Sequence, residues 1–222
     1  MGYQLDFGAL LQYLRLFLEG TAVTLGLTAV ASLLGICLGI AGAAAMGSKH
    51  RWLRRLVVSY VELIRNTPFI VQMFFIFFGL PSLGLRLSAL AAAAIAMTIN
   101  VTAYAIEIIR AGLEGVPDGQ REAATSLGLR AVPVFGLVML PQAIANVYPA
   151  LVGQITITML ESAVVSQIAV VDLTHVADLI QSRNFRSFET YLIITVIYLV
   201  LAIFMRRLLA FAGRGLFAGR VR

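Results

Sequence analysis

Charged residues divide the chain into long apolar tracts. Uncharged stretches of 29 residues between Glu19 and Lys49, 20 between Arg65 and Arg86, 20 between Arg86 and Glu107 and 16 between Glu189 and Arg206 punctuate it. A helix needs about 20 apolar residues to cross a bilayer, so each tract predicts a membrane-spanning helix, the last extended back through Phe188 and Ser187. A further 30 uncharged residues lie between Arg130 and Glu161, run on as apolar sequence to Val171, and contain Pro133, Pro141 and Pro149. By length alone that stretch holds one span or two.

Sorting the basic residues by side decides between them. With five spans and the N-terminus outside, Lys49, Arg51, Arg54, Arg55, Arg110, Arg121, Arg130, Arg206, Arg207, Arg214, Arg220 and Arg222 fall inside, and Arg15, Arg86, Arg183 and Arg186 outside. Twelve against four satisfies the positive-inside rule; six spans would separate the basic tail from the Lys49–Arg55 cluster. The expected architecture is all-α and polytopic, a single domain with spans at about 21–46, 58–80, 87–109, 148–171 and 187–206. Residues 131–146 then form a membrane-flanking helical segment broken by prolines, and residues 5–19 lie along the outer interface.

Composition narrows the class. Of 222 residues 60% are hydrophobic and 13% charged, with mean hydropathy +0.91, against roughly 25% charged in a soluble domain. This excludes a soluble enzyme, a disordered chain and a nucleic-acid binder, and turns the net charge of +6 into an orientation signal. Cys37 stands alone and His175 has no second histidine near it, so neither a disulfide nor a metal site is expected, and no cofactor. The N-terminus lacks the layout of a cleaved signal, so the first span is expected to stay attached.

Polar groups inside a membrane are costly and need a reason. Asn100, Tyr104 and Glu107 share one helical face by their spacing, and so do Gln154, Thr158 and Glu161. Glu161 lies near the middle of the 148–171 span, where it either meets a ligand or pathway or makes a structural pairing. Glu62 and Arg65 are spaced for a local ion pair, and Pro68 predicts a bend just beyond them. Ala31, Gly35, Gly39 and Ala43 form a small-residue stripe for close helix packing. On the inner side, Asp118 can cap a short helix that Gly128 ends, leaving either a docking element or an interfacial loop.

Glu122-Ala123-Ala124, three residues, Gly128, nine residues and Val138-Met139-Leu140-Pro141 resemble the EAA motif of bacterial ABC importer permeases, with Val138 in place of Ile. VELIRNTPFIVQMFFIFFGLP (61–81), NVTAYAIEIIRAGLEGVPDGQREAA (100–124), LPQAIANVYPALVGQ (140–154) and RNFRSFETYLIITVIYLVLA (183–202) extend the likeness to the polar amino acid permeases of the histidine, glutamine, arginine and opine type. The resemblance implies a five-span subunit in a bacterial inner membrane whose coupling segment, about 117–141, engages a separate ATPase through Glu122, Ala123, Ala124 and Gly128. It also implies a second permease subunit, the same or similar, and a periplasmic or lipid-anchored binding protein. No P-loop competes with that reading, since Gly42 with Gly47-Ser48-Lys49 has Lys in the wrong place.

Where many relatives read Lys-Asp-Thr-Ser-Leu, this chain reads Leu160-Glu161-Ser162-Ala163-Val164. The acid stays and the lysine is gone. The expected substrate is therefore a cationic or zwitterionic amino acid or a derivative such as an opine, met by Glu161 with Asn100, Tyr104, Gln154 and Thr158 as neutral partners. The competing readings are a self-sufficient secondary carrier or channel and a membrane enzyme. The enzyme is opposed by the lack of a clustered catalytic set, so a transport subunit is expected.

Overall fold

The computed structural model describes residues 5–216, with Arg220 and Arg222 of the basic tail outside them. Every regular element among these residues is helical. We number them α1 (Gly8–Met46), α2 (Arg51–Arg65), α3 (Phe69–Ser82), α4 (Ala89–Glu114), α5 (Asp118–Ser126), α6 (Ala131–Ile168), α7 (Leu173–Asn184) and α8 (Ser187–Leu216). Helices α1, α4, α6 and α8 are each long and apolar enough to cross a membrane, and α2 with α3 makes a fifth such element when counted as one broken unit. Helices α1, α4 and α8 finish, and α6 begins, at the end that carries most of the basic residues, hereafter the basic end.

The small-residue stripe of α1 packs as its spacing predicts. Ala31, Gly35, Gly39 and Ala43 are buried, and the helix lies closely along α4. A Cβ added at Gly35 would stand 2.6 Å from Val101 Cγ1, and one at Gly39 2.5 Å from Ala105 Cβ. Backbone proximity there depends on the missing side chains. Gly39→Val is expected to destabilise the chain by about 1–3 kcal/mol through overpacking, read as a lower melting temperature in detergent; an unchanged midpoint would mean the two helices can part freely. Residues 8–13 are the 3₁₀ opening of α1, which turns α-helical at Leu14, so most of the segment expected before the first span is continuous with that helix.

The second expected span is broken, and sharply. Helices α2 and α3 meet at 108° across Asn66, Thr67 and Pro68. Proline has no N–H to continue the ladder. Gln72 supplies the missing donor, its Nε2 lying 2.7 Å from the Ile64 carbonyl and 3.0 Å from that of Thr67. Its Oε1 in turn accepts from Asn100 Nδ2 on α4 at 3.2 Å. The bend is thus held from a neighbouring helix. Met73 and Ile76 of α3 then pack with Ala92, Ala96 and Met97 of α4, Leu27 of α1, and Val165 and Ile168 of α6 in one apolar core.

Helix α6 differs most from expectation. Residues 131–146 are continuous with residues 147–168, giving one helical run of 38 residues. A π-helical turn over Val134–Met139 shifts the hydrogen-bond register ahead of Pro141, and Gln142 Nε2 donates to the Val138 carbonyl at 2.8 Å, so the proline does not end the helix. From Ser162 the run tightens into 3₁₀ geometry, ending at Ala169 with φ +61°. Glu161 therefore stands seven residues before the end of this helix rather than near its middle.

Helix α7 has no counterpart in the expected spans. The Asp172 carboxylate accepts the His175 N–H at 2.9 Å as its N-cap, and Thr24 of α1 accepts the Leu173 N–H at 3.2 Å. Leu173, Val176, Ala177 and Ile180 close a core with Leu10 and Phe17 of α1 and Ile194 of α8.

Candidate functional site

Helix α4 reaches the basic end with two polar side chains beside the end of α2. Arg65 Nη1 lies 3.0 Å from Glu107 Oε2, and its guanidinium sits 5.5 Å over the Tyr104 ring. Arg110 donates from Nε to Glu107 Oε1 at 3.1 Å and from Nη1 to Glu114 Oε1 at 2.6 Å. The local Glu62–Arg65 pair read from spacing does not form, because the turn at Pro68 leaves Arg65 facing α4 and pairing 42 positions away. These groups face a cavity of about 990 Å³ that also reaches Glu62, Asp118 and Arg121. Acids and guanidiniums alternate around it, which suits a polar or charged solute better than an apolar one.

The five candidate binding residues separate into three places. Tyr104 lines the cavity. Asn100 is buried and committed to Gln72. On α6, Gln154 and Thr158 are buried one turn apart, with the Thr158 hydroxyl donating to the Gln154 carbonyl at 2.9 Å. The Gln154 amide Nε2 has no hydrogen-bond partner among the described residues, and a buried donor in that state costs about 1–3 kcal/mol until something accepts from it. Glu161 is half-buried, with no cation beside it among the described residues. Spacing along one helix grouped Asn100 with Tyr104, and the structure turns them to different partners. Spacing missed Gln72 and Arg65, whose partners lie on α4; a glutamine just past Pro68 in an apolar tract was the available signal.

Helix α5 begins after Pro117, and Asp118 occupies its first turn without the side-chain cap that its position suggested. Its end is a Schellman turn. The Gly128 N–H donates to Thr125 O at 2.9 Å and the Leu129 N–H to Ala124 O at 3.2 Å, with Gly128 at φ +81°. Glu122 and Ala123 face outward, whereas Ala124 is buried and α5 packs against the π turn of α6. A short helix is thus presented at the basic end on the start of α6.

Long apolar helices with a short helix at their charged end are the build of a membrane subunit. Residues 16–217 match the family described as binding-protein-dependent transport system inner membrane component, and the chain belongs to that family of ABC-transporter permeases. It is 34% identical to the arginine transport system permease protein ArtQ of Bacillus subtilis (strain 168), over 95% of this chain and 94% of that one. With the probable glutamine ABC transporter permease protein GlnM of the same organism it shares 36% identity, over 85% and 87%. The crystal structure of an amino acid ABC transporter with histidines superposes with TM-score 0.87 at 40% identity, covering 96% of this chain and 99% of that one. The MetNI methionine ABC transporter in an inward-facing conformation shares the fold, with TM-score 0.76 at 20% identity, over 96% and 99%.

Proposed function

We propose that the chain forms half of the membrane pathway of an ATP-driven importer of polar, cationic amino acids or related derivatives. Two ATPase subunits on the basic side, taken as cytoplasmic, supply the energy. A second permease subunit, the same or similar, completes the pathway, and an external binding protein delivers the substrate. The amino acid class rests on relatives named for arginine and glutamine transport and on the fold shared with an amino acid transporter studied with histidines. The cationic preference rests on Glu161, an acid in the membrane region with no cation beside it among the described residues.

The observation that carries the coupling is mechanical. Helix α5 is joined by three residues to α4, which bears Tyr104 and Glu107, and packs on the π turn of α6, which bears Gln154, Thr158 and Glu161. A push on the exposed Glu122–Ala123 face therefore moves both candidate binding helices at once. π turns are common at functional positions because their loosened ladder can change register. Driven closure of the ATPases then alternates the pathway between inward and outward access. Glu161 would hold the ammonium or guanidinium of the substrate, and Gln154 Nε2 would give a hydrogen bond to an acceptor on it, with Thr158 one turn further along the same helix.

The deciding experiment reconstitutes the chain with and without its ATPase in liposomes carrying the binding protein. Uptake of arginine is expected only with the ATPase and ATP. Uptake by the permease alone under a proton gradient would support a secondary carrier and overturn this reading.

A further inference from the structure

Between α6 and α8, near the basic end, runs a groove of about 680 Å³, unrelated to the charged cavity. That volume is in the range of roughly 300–1,000 Å³ typical of small-molecule sites. Pro149, Val152, Gly153 and Ala210 make its walls apolar, and Arg206 and Arg214 put two guanidiniums on its rim. Neither arginine has an acidic partner among the described residues. Helix packing at one edge of the groove is tight, since the Tyr148 hydroxyl donates to the Leu209 carbonyl at 2.7 Å and the ring covers Gly213, where a Cβ would collide with it.

The groove lies where α8 leaves a bilayer at the basic end. Arg206 lies 19 residues beyond Ser187, about 28 Å along α8 at 1.5 Å per residue. With Ser187 at the far boundary of a hydrocarbon core about 30 Å thick, Arg206 falls at the near boundary and Arg214, about 12 Å further along the helix, lies beyond it. Helix α6 runs antiparallel to α8, so with Tyr148 against Leu209 and Gly213, Pro149, Val152 and Gly153 stand about level with Arg206 and deeper than Arg214. Guanidiniums without acidic partners among the described residues, beside and above an apolar slot, match an anionic headgroup with an acyl chain along the slot.

We propose that this groove is a specific site for one anionic diacyl phospholipid. The phosphate meets Arg206 and Arg214, and one acyl chain lies along Pro149, Val152 and Gly153. Arg207, next in sequence, carries the same charge at the same depth but is not part of the groove, which makes it an internal control.

The test is native mass spectrometry of the purified full-length chain, released from detergent with added phosphatidylglycerol or phosphatidylcholine. One phosphatidylglycerol per chain is expected to survive conditions that strip phosphatidylcholine. Both charges act on the anionic headgroup, so R206Q with R214Q should weaken retention by about tenfold or more. R207Q should leave it unchanged, and R206K with R214K should keep most of it. Equal retention of both lipids, or an equal loss in R207Q, would show bulk charge alone and overturn the site. So would efficient crosslinking of Ala210→Cys to a second permease in the assembled transporter, which would put protein in the groove.

Discussion

Glu161→Gln is expected to cut arginine uptake by about a hundredfold, the weight of losing one partner from a desolvated charge pair. The side chain stands where α6 tightens from α to 3₁₀ geometry, half-buried and without a cation of its own among the described residues. A substrate ammonium or guanidinium would supply that cation. Glutamine keeps the length and hydrogen-bonding capacity of the side chain and removes only the charge, so the loss should follow substrate charge. Uptake of neutral glutamine should stay within about threefold of the parent, less than 1 kcal/mol. A merely structural carboxylate would produce a different pattern, with stability and all substrates falling together. ATP-driven uptake of labelled arginine and glutamine by the reconstituted complex separates the two, and unchanged arginine transport would end the assignment.

Features set by local spacing could be read from the sequence, and those set by contacts between distant helices could not. The stripe from Ala31 to Ala43 repeats every four residues, and α4 lies against it as that pattern requires. Pro68 announced a bend because proline acts on its own helix, but the 108° angle depends on Gln72 and Asn100, which are 28 positions apart. The same long-range geometry redirected Arg65 from Glu62 to Glu107. Proline misled in α6, where the π turn and the Gln142 amide carry the helix past Pro141. Helix α7 escaped notice because it is only 12 residues and, lacking a long apolar tract, is tied down by Asp172, Thr24 and a core shared with α1 and α8. For the candidate site, spacing placed the polar residues of each helix on a common side. Their separation could not be read from it, because Asn100 turns to Gln72 while Tyr104 turns to the charged cavity.

Gly128→Val should separate ATP hydrolysis from transport. At φ +81° a residue with a Cβ loses about 1–2 kcal/mol, and a β-branched one fits worse. Space is not the obstacle, since nothing lies within 4 Å of where the Cβ would go. The cost therefore falls on the Schellman turn and not on the membrane core. Helix α5 has only nine residues, too few to persist without its ends fixed. Loosening its last turn frees Ala124 from the π turn of α6, and a push on Glu122 and Ala123 is then spent on the short helix instead of reaching α4 and α6. The expected result is uptake reduced by about tenfold or more, the equivalent of 1.4 kcal/mol, with ATP hydrolysis by the assembled complex persisting. Gly128→Asn, which tolerates the left-handed region, should restore most of the coupling. Gly119→Ala should be harmless, because that glycine has ordinary helical geometry and open space around it. Glu122→Lys acts differently, reversing an exposed charge without disturbing the helix, and should weaken assembly with the ATPase itself. Paired measurements of uptake and phosphate release on these four variants distinguish a contact defect from a transmission defect. Normal coupling in Gly128→Val would mean that the left-handed turn has no part in transmitting the stroke.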